Sequence, residues 1–147
     1  MGKCGLRQTI IKHLFQSDKI NSAMVHFKFI EDINSYQPVQ SFSAVINPAV
    51  STKDELLKDL YNKLRLPDYF GFNWDALLDC LRDFYWIKDR GIILIHTVIP
   101  HIEEQDLKIY LEVLNEATQD WKPDDEHYLE VIFPKSSEYA LKSLVSL

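Results

Sequence analysis

The stretch LPDYFGFNWDALLDCL, residues 66–81, decides the fold of this chain. Leu66-Pro67 closes whatever helix precedes it, because a residue before proline is pushed out of the helical region. The aromatic loop Tyr69-Phe70-Gly71-Phe72 then leads to Asn73, a residue type that caps helix N-termini. Leu77, Cys80, Leu81 and Phe84 follow at helical spacing and predict an inner apolar face. Asp75 and Asp79 are four apart, so they share a face about one turn, ~5.4 Å, from each other. Like charges at that spacing destabilise a helix by roughly 0.2–0.5 kcal/mol. Asp75 is compensated by the positive end of the helix dipole, and Arg82 offers an offsetting charge to Asp79.

Working upstream, Thr52 and Glu55 form a T-x-x-E capping box. The helix it opens has its apolar face at Leu56, Leu57, Leu60, Tyr61 and Leu64. FSAVI, residues 42–46, reads as a strand ended by Asn47-Pro48. Residues 6–15 place Leu6, Ile10 and Leu14 at helical spacing, and 23–30 alternate Val25, Phe27 and Phe29 with His26 and Lys28 in the period of a half-buried strand. Downstream, IILIHTVI at 92–99 is a nearly unbroken apolar run, expected of a strand covered on both faces. A third helix is expected over roughly 102–120, with Leu107, Tyr110, Leu111, Leu114 and Ala117 inward. YLEVIF at 128–133 is the last strand, and SSEYALKSLVSL suits a final short helix. Strands separated by helices require crossovers, so the fold class is α/β with a small three-stranded parallel sheet. An added N-terminal helix and strand remain open at this point.

Composition limits what such a domain can do. The 147 residues suit one domain, with 46% hydrophobic and 26% charged residues. Only four glycines are present, and no Gly-rich phosphate loop exists. The net charge of −6 disfavours direct nucleic-acid binding, which needs Lys and Arg to displace counterions. It suits a basic partner. Cys4 and Cys80 cannot supply a zinc site by themselves, and Cys80 lies in an apolar helical pattern, as a buried small hydrophobe would. No run approaches membrane-spanning length and no continuous apolar leader is visible, so a cytoplasmic setting without membrane association is expected.

Glu112, Glu116 and Asp120 recur every fourth residue on the third helix, opposite its apolar face. Two helices therefore each carry a row of carboxylates, the first beside a loop dense in Tyr and Phe. A solvated acidic face and a protein-binding surface are both compatible with this pattern. Phe70 and Trp74 are candidates for the core. Asp75, Asp79 and Glu116 also offer oxygen ligands for Mg²⁺, and His96 or His101 a general base, but no paired metal motif and no nucleophile accompany them.

The run at 66–81, with AVIN at 44–47 and YLEVLNEA at 110–117, resembles the barstar family, intracellular inhibitors of the bacterial ribonuclease barnase. The resemblance covers roughly Phe42 to Phe133. It implies a barstar-like domain over 42–147; residues 1–41 have no family counterpart, and their apolar faces at Leu6, Ile10, Leu14, Val25, Phe27 and Phe29 need covering, so this extension is expected to pack on the domain. It implies a protein inhibitor, not an enzyme, with no cofactor and no metal. The partner would be a basic ribonuclease or, as an immunity protein, another basic toxin. Tyr69, Gly71, Asn73, Asp75 and Asp79 fall on family contact positions, as do Val113 and Glu116 on the third helix. Leu78 and Phe84 stand where the family has Trp, and Phe72 where it has a polar residue. In the family the carboxylate matching Asp79 fills the site of an RNA phosphate, consistent with the bidentate fit of a carboxylate to Arg.

Overall fold

In a computed structural model, residues 26–146 are described. The expectations placed on Leu6, Ile10, Leu14 and Val25 lie outside those residues. Four parallel strands form one sheet in the order β1-β4-β3-β2: β1 Lys28–Ile30, β2 Phe42–Ile46, β3 Gly91–His96 and β4 Tyr128–Pro134. The helices are α1 Lys53–Lys63, α2 Trp74–Leu81, α3 Glu104–Asp120 and α4 Glu138–Ser146.

The expected three-stranded sheet thus gains a fourth member. Lys28 pairs in register with Ile132, and Phe27 packs on Phe133 at 5.5 Å between ring centroids. β1 is shorter than the 23–30 alternation suggested, since His26 and Phe27 precede the ladder. β3 also stops early: at His96 the chain leaves the ladder, and Thr97–Ile99 lie outside it ahead of Pro100.

Alternation on the strands divides the interior. Ala44, Ile46, Ile92, Leu94, Leu129, Val131 and Phe133 join the apolar faces of the helices in the main core. On the other side Ile93, Ile95 and Ile132 form a smaller cluster under Ile30, Ile33 and Tyr36. β3 is buried along its whole length, as its apolar run required.

The buried polar group at the centre is His96. One ring nitrogen, Nδ1, lies 3.1 Å from the carbonyl oxygen of Ile132, and Nε2 lies 2.7 Å from the Tyr110 hydroxyl. The ring also stacks on Phe133 at 4.1 Å. Nδ1 therefore donates to the carbonyl and Nε2 accepts from the phenol, which fixes a neutral tautomer. Desolvation pushes its pKa down to about 3.

At the outer edge of the sheet, Lys63 Nζ donates to the Val45 carbonyl at 2.8 Å, Asp59 accepts from the Asn47 backbone N–H at 2.8 Å, and Arg65 lies over the Phe42 ring at 5.2 Å. α1 begins as its capping box suggested. Thr52 accepts from Glu55 N–H at 3.1 Å, while the Glu55 carboxylate reaches back to Ser51 N–H at 2.9 Å.

Candidate functional site

Asn73 opens the helix on which the site depends. Its side-chain oxygen accepts from Ala76 N–H at 2.8 Å, and its amide donates to the Gly71 carbonyl at 3.2 Å. The side chain is thus occupied in shaping the loop-to-helix corner. Gly71 fits this corner because a Cβ there would stand 3.1 Å from the Asn73 amide nitrogen.

From that cap, Trp74, Leu77, Leu78 and Leu81 fall at the i, i+3, i+4, i+7 positions and are buried, with Cys80 beside them. The opposite face carries Asp75, Ala76 and Asp79, each half-buried. α3 packs against α2 and buries Leu107, Tyr110, Leu111, Val113, Leu114, Asn115 and Ala117. Its half-buried carboxylates are Glu112, Glu116 and Asp120.

The two helices are tied at both ends. Near the start of α2, the Trp74 and Tyr110 rings lie 5.9 Å apart. Beyond its end, Trp121 Nε1–H donates to the Leu81 carbonyl at 2.9 Å. Arg82 Nε approaches Asp120 Oδ2 at 2.6 Å, an ion pair without hydrogen-bond alignment. The cation expected to offset Asp79 is therefore engaged by the last carboxylate of the α3 row. One carboxylate oxygen of Asp79, Oδ1, is shielded from water.

Around the carboxylates the structure sorts the candidates. Tyr69 is 56% exposed, and its hydroxyl is hydrogen-bonded to Tyr85, itself 56% exposed. Gly71 and Asn73 are exposed at the corner. Asp75, Asp79 and Glu116 retain partial exposure. Leu78, Phe84 and Val113 do not: all three side chains lie in the main core, at or near zero exposure. None of the three side chains offers surface to a partner in this structure. Leu78 and Val113 fall on the inward faces of their helices. Phe84 is reached by a turn with φ of 54° and lies against Trp86 and Trp121. Phe70 and Trp74 are core residues, as considered from sequence.

Two participants, Asn115 and Tyr85, had escaped notice. Asn115, fully buried, accepts from His26 N–H at 3.0 Å and so anchors the segment leading into β1. Tyr85 sits in a turn, where no periodicity marks it. Arg82, noted in the sequence as a counter-charge, is itself buried and meets the carboxylate row of α3 at Asp120.

Among the described residues, no group of three or more His, Cys, Asp or Glu side chains is placed to hold a metal ion. Nor, among them, is any helix long and apolar enough to cross a membrane.

The fold and surface define a class: a parallel α/β domain with two packed helices that each carry half-buried carboxylates, the first helix following a loop of aromatic residues. The chain belongs to the barstar family, described as barnase inhibitors, whose model matches residues 42–133. No curated protein matches the chain.

Proposed function

We propose that this protein inhibits a basic ribonuclease of the barnase type by covering its active site with the α2–α3 surface. The observation that carries the reading is Asp79, held half-exposed on α2 against α3 in a chain of the barstar family. A ribonuclease site holds cations placed for phosphate, and a carboxylate on a fixed helix satisfies them without the cost of ordering a flexible chain. Asp75 and Glu116 assist, and Tyr69, Gly71 and Asn73 shape the adjoining corner. The proposal treats 42–147 as the binding domain and 1–41 as an extension packed on it. It requires no catalysis and places the protein in the cytoplasm.

A second reading is a barstar-like module, or immunity protein, directed at a different toxin or a regulatory partner. The burial of Leu78, Phe84 and Val113 favours it, because three of the side chains implied by family resemblance are withdrawn from the surface.

Binding kinetics with barnase at two salt concentrations separate the readings. Charge-steered association should slow markedly with salt, because exposed charges are screened within ~8 Å at physiological ionic strength. Asp79→Ala should mainly raise the dissociation rate, at a cost of roughly 2–5 kcal/mol, while Glu112→Ala should do little. Absence of inhibition by the unmodified protein would leave the second reading standing.

A further inference from the structure

Phe72 combines three features that together point outward. Its backbone has φ of 54°, the left-handed region that a bulky side chain occupies under strain and glycine occupies freely. Its ring is nevertheless fixed, 5.1 Å from Tyr61 and 4.8 Å from Phe70. Yet 41% of the residue remains exposed, while Phe70 beneath it is buried. The packed part of the ring rests on Tyr61 and Phe70, and the exposed part contributes nothing to the core.

The ground beside this ring is acidic. The Tyr61 hydroxyl donates to Asp68 Oδ1 at 3.3 Å, and Asp68 is exposed. Asp75 follows Phe72 by three residues, in the first turn of α2. Two cations of this chain already lie over other rings: Arg65 over Phe42 at 5.2 Å and Lys53 over Trp74 at 5.6 Å.

We infer that Phe72 and Tyr61, flanked by Asp68, form a seat for an arginine side chain of the partner, at the edge of the carboxylate surface. This assignment rests on the proposed ribonuclease-binding role and adds a specificity-determining residue to it. The electron-rich ring face attracts a cation, and a planar guanidinium stacks on it while presenting N–H groups to the adjacent carboxylate. The ring is held before contact, so little side-chain freedom is lost when the cation arrives. Charge complementarity selects the occupant: the surface is acidic, the chain carries −6, and the partner is basic.

The decisive substitution is Phe72→Gly. Glycine accepts the left-handed backbone, so the corner before Asn73 keeps its shape while the ring is removed. Binding of barnase by the unmodified protein, Phe72→Gly, Phe72→Leu, Asp68→Asn and Asp79→Ala should be measured, with thermal unfolding of each variant. Phe72→Gly should fold normally and bind roughly 3- to 30-fold more weakly, the range of a cation–ring contact. Phe72→Leu should lose a similar factor, since it keeps apolar area but no ring, and Asp68→Asn should lose a smaller one. If Phe72→Gly binds as the unmodified protein does while Asp79→Ala is weakened, the seat is refuted and the inhibitor reading survives. If Phe72→Leu binds normally while Phe72→Gly does not, Phe72 is an apolar anchor and the cation assignment falls. If the unmodified protein does not bind at all, the ribonuclease reading and the seat fail together.

Discussion

Mild acid should destabilise this protein through one imidazole. His96 is fully buried, bonded by one nitrogen to the Ile132 carbonyl and by the other to the Tyr110 hydroxyl, and its pKa is depressed to about 3. The unfolded chain releases it to an ordinary value near ~6.5. Between those two values the unfolded state binds the extra proton, so stability falls as pH falls. Each pH unit below ~6.5 removes about 1.4 kcal/mol, giving roughly 3 kcal/mol by pH ~4.5 and a limit of about 5 kcal/mol near the folded pKa. Above ~6.5 the group contributes no pH dependence. Against a typical total of about 5–15 kcal/mol, that loss is a large fraction. The assay is urea unfolding at neutral pH and at pH ~4.5 for the unmodified protein and for His96→Gln, which cannot titrate in this range. The variant should be less stable at neutral pH but should lose about 3 kcal/mol less on acidification than the unmodified protein. Equal acid losses in the two proteins would refute the reasoning, as would an imidazole resonance for His96 that titrates near ~6.5 in the folded state.

The remaining predictions concern the frame of the acidic surface. Arg82→Met should cost roughly 2–4 kcal/mol by urea unfolding, toward the lower end because Asp120 keeps 23% side-chain exposure, and Asp120→Asn in the same chain should recover part of it. Asn73→Ala removes the α2 cap and should cost about 1 kcal/mol by the same measurement, with binding weakened further by the loss of the Gly71 contact.

Much of the frame was legible in the sequence because local chemistry and tertiary packing agree there. Asn73 and Thr52 cap the helices they were expected to cap, and the apolar run read at 92–99 supplies the buried inner strand β3, which ends at His96. The alternation at 23–30 marked a strand, but its place in the sheet stayed open, because a three-residue strand is fixed by its pairing with β4. The site was legible in its carboxylates and less so in its apolar members. The resemblance implied contact roles for Leu78 and Val113, and the inner faces read from spacing left both out, yet each side chain is buried. Phe84 continued the α2 pattern in sequence, yet the helix ends at Leu81, and a left-handed residue then folds the ring back into the core. No periodicity encodes that reversal.

The Lys63 contact to the Val45 carbonyl has a consequence for self-association. A strand at the rim of a sheet normally offers its backbone as a template for a neighbour's chain. Here an incoming strand meets an ammonium already seated on that carbonyl, and pairing would require displacing and desolvating it. Arg65 adds bulk and charge over Phe42, at the start of the same strand. At the far rim, β1 spans three residues and gives an intruding chain little length to grip. The two borders are protected in different ways, one by charge and one by brevity. Growth of the sheet into a neighbouring copy is therefore disfavoured at each border for its own reason.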